Sequence, residues 1–237
     1  MAKITVGWAP YLYDCTRGLT YFVKKPESLY NTHMKDGGHK YKQCPSTLGV
    51  ARNTFVVRSP FDAEFIVDAD KQTLEFLPGH NQPFEFFNMR KGQYGPEDQP
   101  IMSLNFHQVL VTEHENVEAT ITGPWFEETQ NNFRVIPGRL MISDWWRAID
   151  FAIQLRNRQQ VVKIKKDDPL FYITISTKDP DDVAIIREIK LTDEIKQVFD
   201  ATVDAKFFQP RCPLKTLYGA FRQFTARKHR PKLEFID

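Results

Sequence analysis

Between Asn53 and Lys190 the chain is a series of short apolar, β-branched segments. They recur every 8–15 residues and are separated by polar turns, with no stretch of helical periodicity between them. Val, Ile, Thr and aromatic side chains suit a pleated, half-buried surface. Strands that follow one another without intervening helices exclude a βαβ architecture and point to a sandwich. The spacing predicts strands over Thr54–Arg58, Glu64–Asp68, Thr73–Leu77, Met102–Val111, Val117–Thr122, Phe133–Ile142, Phe151–Arg156, Val161–Lys165, Leu170–Ser176 and Val183–Lys190. Turn residues at 69–72 predict a hairpin, and Glu113–Asn116 predict another that joins Met102–Val111 to Val117–Thr122. Residues 78–100, rich in Pro, Gly and Asn, read as a long loop held by Phe84, Phe86 and Phe87.

The fold class expected is therefore mainly β, a β-sandwich or jelly-roll-like single domain over 1–237, closed by two α-helices. Residues 1–50 read as an irregular segment with one short strand at Lys3–Trp8, 51–190 as the β body, and 191–230 as a basic helical segment. Thr192 is placed to cap the first helix, with Asp193 and Glu194 in its first turn. Ile195, Val198, Phe199 and Val203 follow at helical spacing. A second amphipathic helix is expected after Pro213, with Leu214, Leu217, Tyr218, Phe221 and Phe224 on one side.

Charge is unevenly distributed. Net charge is +2, yet residues 206–232 hold eight Lys and Arg and no acidic residue, leaving 24 basic against 28 acidic residues over 1–205. Such an asymmetry is a partner signal. The expected partner-binding set is Arg211, Lys215, Arg222, Arg227, Lys228 and Arg230. Its expected partner is an acidic surface of another protein chain, with nucleic acid as an alternative.

Three widely spaced cysteines, an odd number, exclude a secreted disulfide framework. The N-terminus lacks an apolar signal core and no run of 18 apolar residues occurs. The expected setting is the cytosol or a particle assembled there, without a membrane span.

Candidate chemistry is sparse. Cys15, His33, His39 and Cys44 are residue types that ligate zinc. Their separations of 17, 5 and 4 residues lack the paired ligands that a turn presents to zinc, so they read as loop residues, with Cys44-Pro45 buried. His107 and His114 differ in parity along a strand and lack the His-x-Asp/Glu pair of a jelly-roll iron site. A metal enzyme using some of His33, His39, His107 and His114 is the alternative from the enzyme class. Trp145, Trp146 and Arg147 form a candidate ligand clamp, two indoles beside a guanidinium, or else a packed sheet corner. Nucleophile-elbow and phosphate-loop motifs do not occur, and neither catalytic residues nor a cofactor are expected.

Three segments taken in order carry a resemblance: Cys44-Pro45 with Asn53–Asp62, Ile136–Arg147 with Phe151–Arg156, and Lys165–Tyr172. Together, over about residues 40–180, they resemble a family of uncharacterised proteins encoded by tailed phages of marine bacteria. The resemblance implies a phage setting, either a virion component or an interaction protein, and transfers no catalytic residue. Lys165–Tyr172 also resembles the Lys-Gly-Asp turn and apolar strand of jelly-roll and nucleotide-pyrophosphatase barrels, with Asp167 at the glycine position. That likeness bears on fold alone.

Overall fold

The computed structural model of the protein describes residues 2–11, 23–34, 44–71, 73–78, 87–88, 101–129, 131–146, 148–208, 216 and 231–236. Fourteen strands and two α-helices are assigned among them. The largest sheet contains β1 (Lys3–Pro10), β6 (Phe87–Asn88), β7 (Ile101–Val111), β9 (Arg134–Ile136), β11 (Ala148–Gln154) and β14 (Val183–Glu188). Its order is β14-β1-β7-β11-β9, with β6 also on β7. A second sheet, in the order β10-β8-β13-β3-β2, is built from β2 (Glu27–Ser28), β3 (Thr54–Arg58), β8 (Glu118–Thr122), β10 (Gly138–Met141) and β13 (Pro169–Ser176). The third has β12 (Gln159–Ile164), β4 (Ala63–Asp68) and β5 (Thr73–Phe76), in that order. The protein is mainly β, as the strand spacing predicts.

Alternation along each strand divides its side chains between a shared core and an outer face. Val6 and Trp8 of β1, Leu104 and Phe106 of β7, and Phe151 and Ile153 of β11 meet Phe55, Val57, Phe171, Ile173 and Ile121 from the second sheet. Phe106 is central, edge-on to Phe151 at 5.4 Å and to Phe171 at 5.9 Å. The single buried indole of β1, Trp8, donates from Nε1 to Oε1 of Gln108 at 2.8 Å, so its polar edge is satisfied inside the core.

The outer face of the large sheet is covered by α2 (Asp193–Phe208). Thr192 Oγ1 accepts from the Ile195 N–H at 3.3 Å, the N-cap expected from the sequence. Ile195 and Phe199 press onto Ala9, Val109, Val111 and Trp146. Tyr11 lies edge-on to Phe199 at 5.1 Å and hydrogen-bonds Asp200. Residues 231–236 strap over the end of β14. Lys190 N–H donates to Glu234 O at 2.9 Å, and Leu233 N–H donates to Glu113 Oε1 at 2.8 Å. The strap rests against Gly7, where an added Cβ would stand 2.8 Å from Ile189 Cγ2 and 3.3 Å from Leu233 Cδ1.

Several local expectations are corrected. β7 and β8 do not form a hairpin: β7 pairs with β1, β6 and β11, while β8 pairs with β10 and β13. The 112–117 segment thus passes between sheets, because both strands have inward apolar sets that must face each other across the core. The single strand expected over Phe133–Ile142 is two strands in different sheets, split at Pro137. Proline has no N–H for the ladder, so the chain changes sheet there. The irregular 1–50 segment includes a π-helical turn at Tyr30–Met34, and helix α1 (Pro45–Arg52) begins within it, with Pro45 in its first turn. Asp167 has φ 65°, the left-handed conformation that the turn requires and that glycine would adopt freely. The anchoring aromatics Phe84 and Phe86 and all but Thr216 of the second helix lie outside the described residues.

Candidate binding cleft

The cleft begins with one asparagine. Asn53 ends α1 and leads directly into β3. Its backbone carbonyl accepts from Ile175 N–H of the second sheet at 2.9 Å. Its side chain reaches the large sheet, where Oδ1 accepts from Ala184 N–H at 2.9 Å and Nδ2 donates to Asp182 O at 2.8 Å.

Those two bonds sit on the outer edge of β14. That strand pairs with β1 in parallel, and Val183 N–H donates to Ala2 O while Ile189 N–H donates to Trp8 O, both at 2.9 Å. Odd-numbered residues therefore address β1, and the N–H and C=O groups of even-numbered residues point outwards. Asn53 occupies the first outward slot. At the far end Glu188 O accepts from Ile236 N–H at 3.1 Å. Between these ends the outward peptide groups around Ile186 have no strand partner among the described residues.

A cleft of about 630 Å³ adjoins this edge. Val183–Ile186 line one side, and Glu27, Tyr30, Asn31, Arg52 and Phe55 line the other. The open edge, the apolar floor and the exposed Arg52 thus lie together.

The wall carrying Glu27 is fixed by a partly buried ionic cluster. Arg58, at the end of β3, donates from Nε to Glu27 Oε2 and from Nη2 to Glu127 Oε2, both at 2.9 Å. Its Nη1 donates to Asp167 O at 3.1 Å. Burial works against the guanidinium charge, but the hydrogen bonds and charges of Glu27 and Glu127 outweigh it, so the proton is held more tightly than usual. Tyr172 Oη accepts from Glu127 N–H at 2.9 Å and stands 3.4 Å from Oε1. Burial, reinforced by the Glu127 charge, pushes the Tyr172 phenol up to about 12. His33 Nε2 lies 3.3 Å from Glu127 Oε2, and the His33 ring packs on Phe126 at 5.7 Å. Trp125, 45% exposed, meets Tyr172 edge-on at 5.6 Å.

Tyr, Glu, His and Arg together are residue types of acid–base chemistry. Here, however, both oxygens of Glu127 are already engaged, Oε2 by Arg58 and Oε1 by the Tyr172 hydroxyl, and His33 Nε2 lies beside them without a hydrogen bond. The geometry is that of an anchor: it ties the 123–129 loop and the Tyr30–Met34 turn to the second sheet and so shapes one wall of the cleft.

The sites expected from the sequence are distributed otherwise. Of the four zinc-type residues, Cys15 and His39 lie outside the described residues, and His33 faces Glu127. Cys44 is exposed at the start of α1 rather than buried, and the amides of Thr47 and Ser46 lower its thiol pKa. Among the described residues no three His, Cys, Asp or Glu side chains are grouped to hold a metal ion. His114 is exposed beyond β7, and the side chain of His107 lies outside the described ones.

Trp145 and Trp146 are buried rather than open to a ligand, and Trp146 packs against Phe199 of α2. Arg147 lies outside the described residues. So do Arg211, Lys215, Arg222, Arg227, Lys228 and Arg230. Among the described residues, no helix is long and apolar enough to cross a membrane.

Sequence reasoning missed Asn53, Arg58, Glu127 and Tyr172. Arg58 carried a faint signal, a charged residue closing an otherwise apolar strand run. Asn53 carried one as the polar residue between a helix and that run. No protein-family model, curated protein or solved structure matches the chain.

Proposed function

We propose that this protein is a non-enzymatic interaction module, of the kind a phage particle or its assembly would use, and that its cleft receives an extended acidic segment of a partner protein. The observation that carries this reading is the open edge of β14 beside the 630 Å³ cleft. An unpaired sheet edge is a template for strand addition, in which main-chain bonds give affinity and alternate side-chain pockets give specificity. Asn53 already bonds that edge through its amide as an added strand would. Charge selects the occupant: Arg52 is exposed at the cleft and has no acidic partner among the described residues. A carboxylate on the incoming strand would complete it.

The test uses two acetylated octapeptides, one alternating valine with glutamate and one alternating valine with lysine. The acidic peptide is expected to slow hydrogen exchange at the Ile186 and Glu188 amides, and Arg52→Glu is expected to reverse the preference. Equal binding of both peptides, or no protection at those two amides, counts against the reading. Co-sedimentation with intact particles addresses the virion setting, for which a protein found only free in the lysate is the opposing result.

A further inference from the structure

Residues 231–236 do more than cover the end of the large sheet. Ile189 and Phe235 form an antiparallel bridge. It is flanked by Lys190 N–H donating to Glu234 O at 2.9 Å and Ile236 N–H donating to Glu188 O at 3.1 Å. The strap is thus a short strand added in cis to the outward edge of β14, the same edge that runs beside the cleft. The strap occupies Glu188 O and the Lys190 N–H, while Asn53 occupies the Ala184 N–H. Among the described residues, Ala184 O, both peptide groups of Ile186 and the Glu188 N–H lie open between them.

The strap shows what kind of strand this edge accepts. Residues opposite one another in an antiparallel pair share a face. Phe235, opposite Ile189, packs on the apolar cluster that holds Ile189 and Leu233, and its ring centroid lies 4.8 Å from Arg187 Cζ. Glu234, beside it, sets Oε2 3.4 Å from Lys190 Nζ. An acidic residue followed by an aromatic one is the pattern that fits.

The hold on the strap is uneven. Leu233 is buried, and its N–H donates to Glu113 Oε1 at 2.8 Å. Beyond it the Lys190–Glu234 pair is exposed and Ile236 is 61% exposed. Exposed ion pairs add little, and segments with few buried contacts open locally at low free energy. A strand that displaces the tip replaces its two main-chain bonds in kind and adds bonds to the four open groups.

We propose that residues 234–236 are an exchangeable plug. The partner segment received at β14 runs antiparallel to it and carries an acidic–aromatic pair that takes the places of Glu234 and Phe235. This rests on the reading of the β14 edge as a strand-addition site, and adds the direction, the side-chain pattern and a competitor in cis.

The probes are the blocked octapeptide Leu-Glu-Phe-Ile-Glu-Val-Glu-Val, which continues the strap sequence along the open groups, and its counterpart with alanine for phenylalanine. Both are titrated into the full chain and into Ile236→Pro. That proline removes the N–H that holds the tip, while Leu233 keeps the strap anchored. Without peptide, the Lys190 and Ile236 amides are expected to exchange at least about 100-fold faster than the Val6 amide. Ile236→Pro is expected to bind the first peptide about tenfold more tightly than the parent, because its intramolecular competitor is weakened. The alanine peptide should bind about tenfold more weakly. Lys190 and Val6 amides that exchange alike, or equal affinity in parent and variant, would overturn the plug. Equal affinity of the two peptides would overturn the aromatic assignment. In those cases, protection of the Ile186 amide by peptide leaves the edge reading standing. A peptide that leaves Ile186 unprotected in both proteins overturns that reading and this inference with it.

Discussion

The side-chain amide of Asn53 takes the place of a strand residue beside Ala184, accepting its N–H at 2.9 Å while donating to the Asp182 carbonyl at 2.8 Å. One residue thus joins the two main sheets, because its own carbonyl receives Ile175 N–H from the other sheet. Asn53→Ala leaves the Ala184 donor and the Asp182 acceptor without those partners and is expected to cost about 1–3 kcal/mol. Asn53→Asp should cost more, since a carboxylate still accepts from Ala184 but opposes the Asp182 oxygen. Urea denaturation midpoints at constant m-value would measure both; an Asn53→Asp protein as stable as the parent would refute the amide's role.

Arg58 is expected to behave as a half-buried charge with two partners, the exposed Glu27 and the more enclosed Glu127. Its side chain is 17% exposed and that of Glu127 is 13% exposed. Arg58→Met removes the guanidinium and strands the Glu127 carboxylate, a loss of about 2–4 kcal/mol. Glu127→Gln keeps an acceptor and should cost less. A double-mutant cycle between the two positions should return a coupling of about 1–3 kcal/mol, and additive losses would show that the pair is not an energetic unit.

Tyr172 gives a pH signature. Its ordinary value is 10.0 and the fold raises it to about 12. Below pH 10 the folded and unfolded chains both hold the phenolic proton, so this group adds no pH dependence. Between 10 and about 12 the folded chain binds more protons than the unfolded one, so stability falls as pH rises through that window. Stability measured across this range should decline more steeply in the parent protein than in Tyr172→Phe. Superimposable curves would place the alkaline loss elsewhere.

Gly7 is needed for space, not for backbone freedom. Gly7→Ala puts a methyl against Ile189 and Leu233 and is expected to destabilise the protein by about 1–3 kcal/mol. Ile189 must shift first, and the C-terminal strap packed on it through Leu233 is the element free to follow. Hydrogen exchange at Leu233 and Ile236 should therefore accelerate in the variant more than exchange at Val6 in the core. A uniform change, or none, would mean that the strap accommodates the methyl without lifting.

The strands were legible where a local pattern decides them. The two arms on either side of residues 69–72 pair as β4 and β5, as expected, and Thr192 caps α2 as its residue type predicts. Strand partners were not legible. β7 and β8 are adjacent in sequence and carry a good turn between them, yet each contributes an inward apolar face to a different sheet. The candidate sites were less legible still. Glu127, Arg58, Tyr172 and His33 are spread over 140 residues, so no spacing rule could assemble them.

What the amino-acid sequence determined by itself is the β character, the positions of most strands, the capped helix α2 and the uneven charge, because each depends on neighbours along the chain. Tertiary structure alone decided that β14 pairs with β1 in parallel and, among the described residues, leaves an edge open, that Asn53 closes one end of that edge, and that Asn131 Oδ1 has no partner among those residues. Those facts depend on which groups remain unpaired once the sheets have met. A chain does not record its unpaired groups locally, since every backbone amide looks alike until its partner is known.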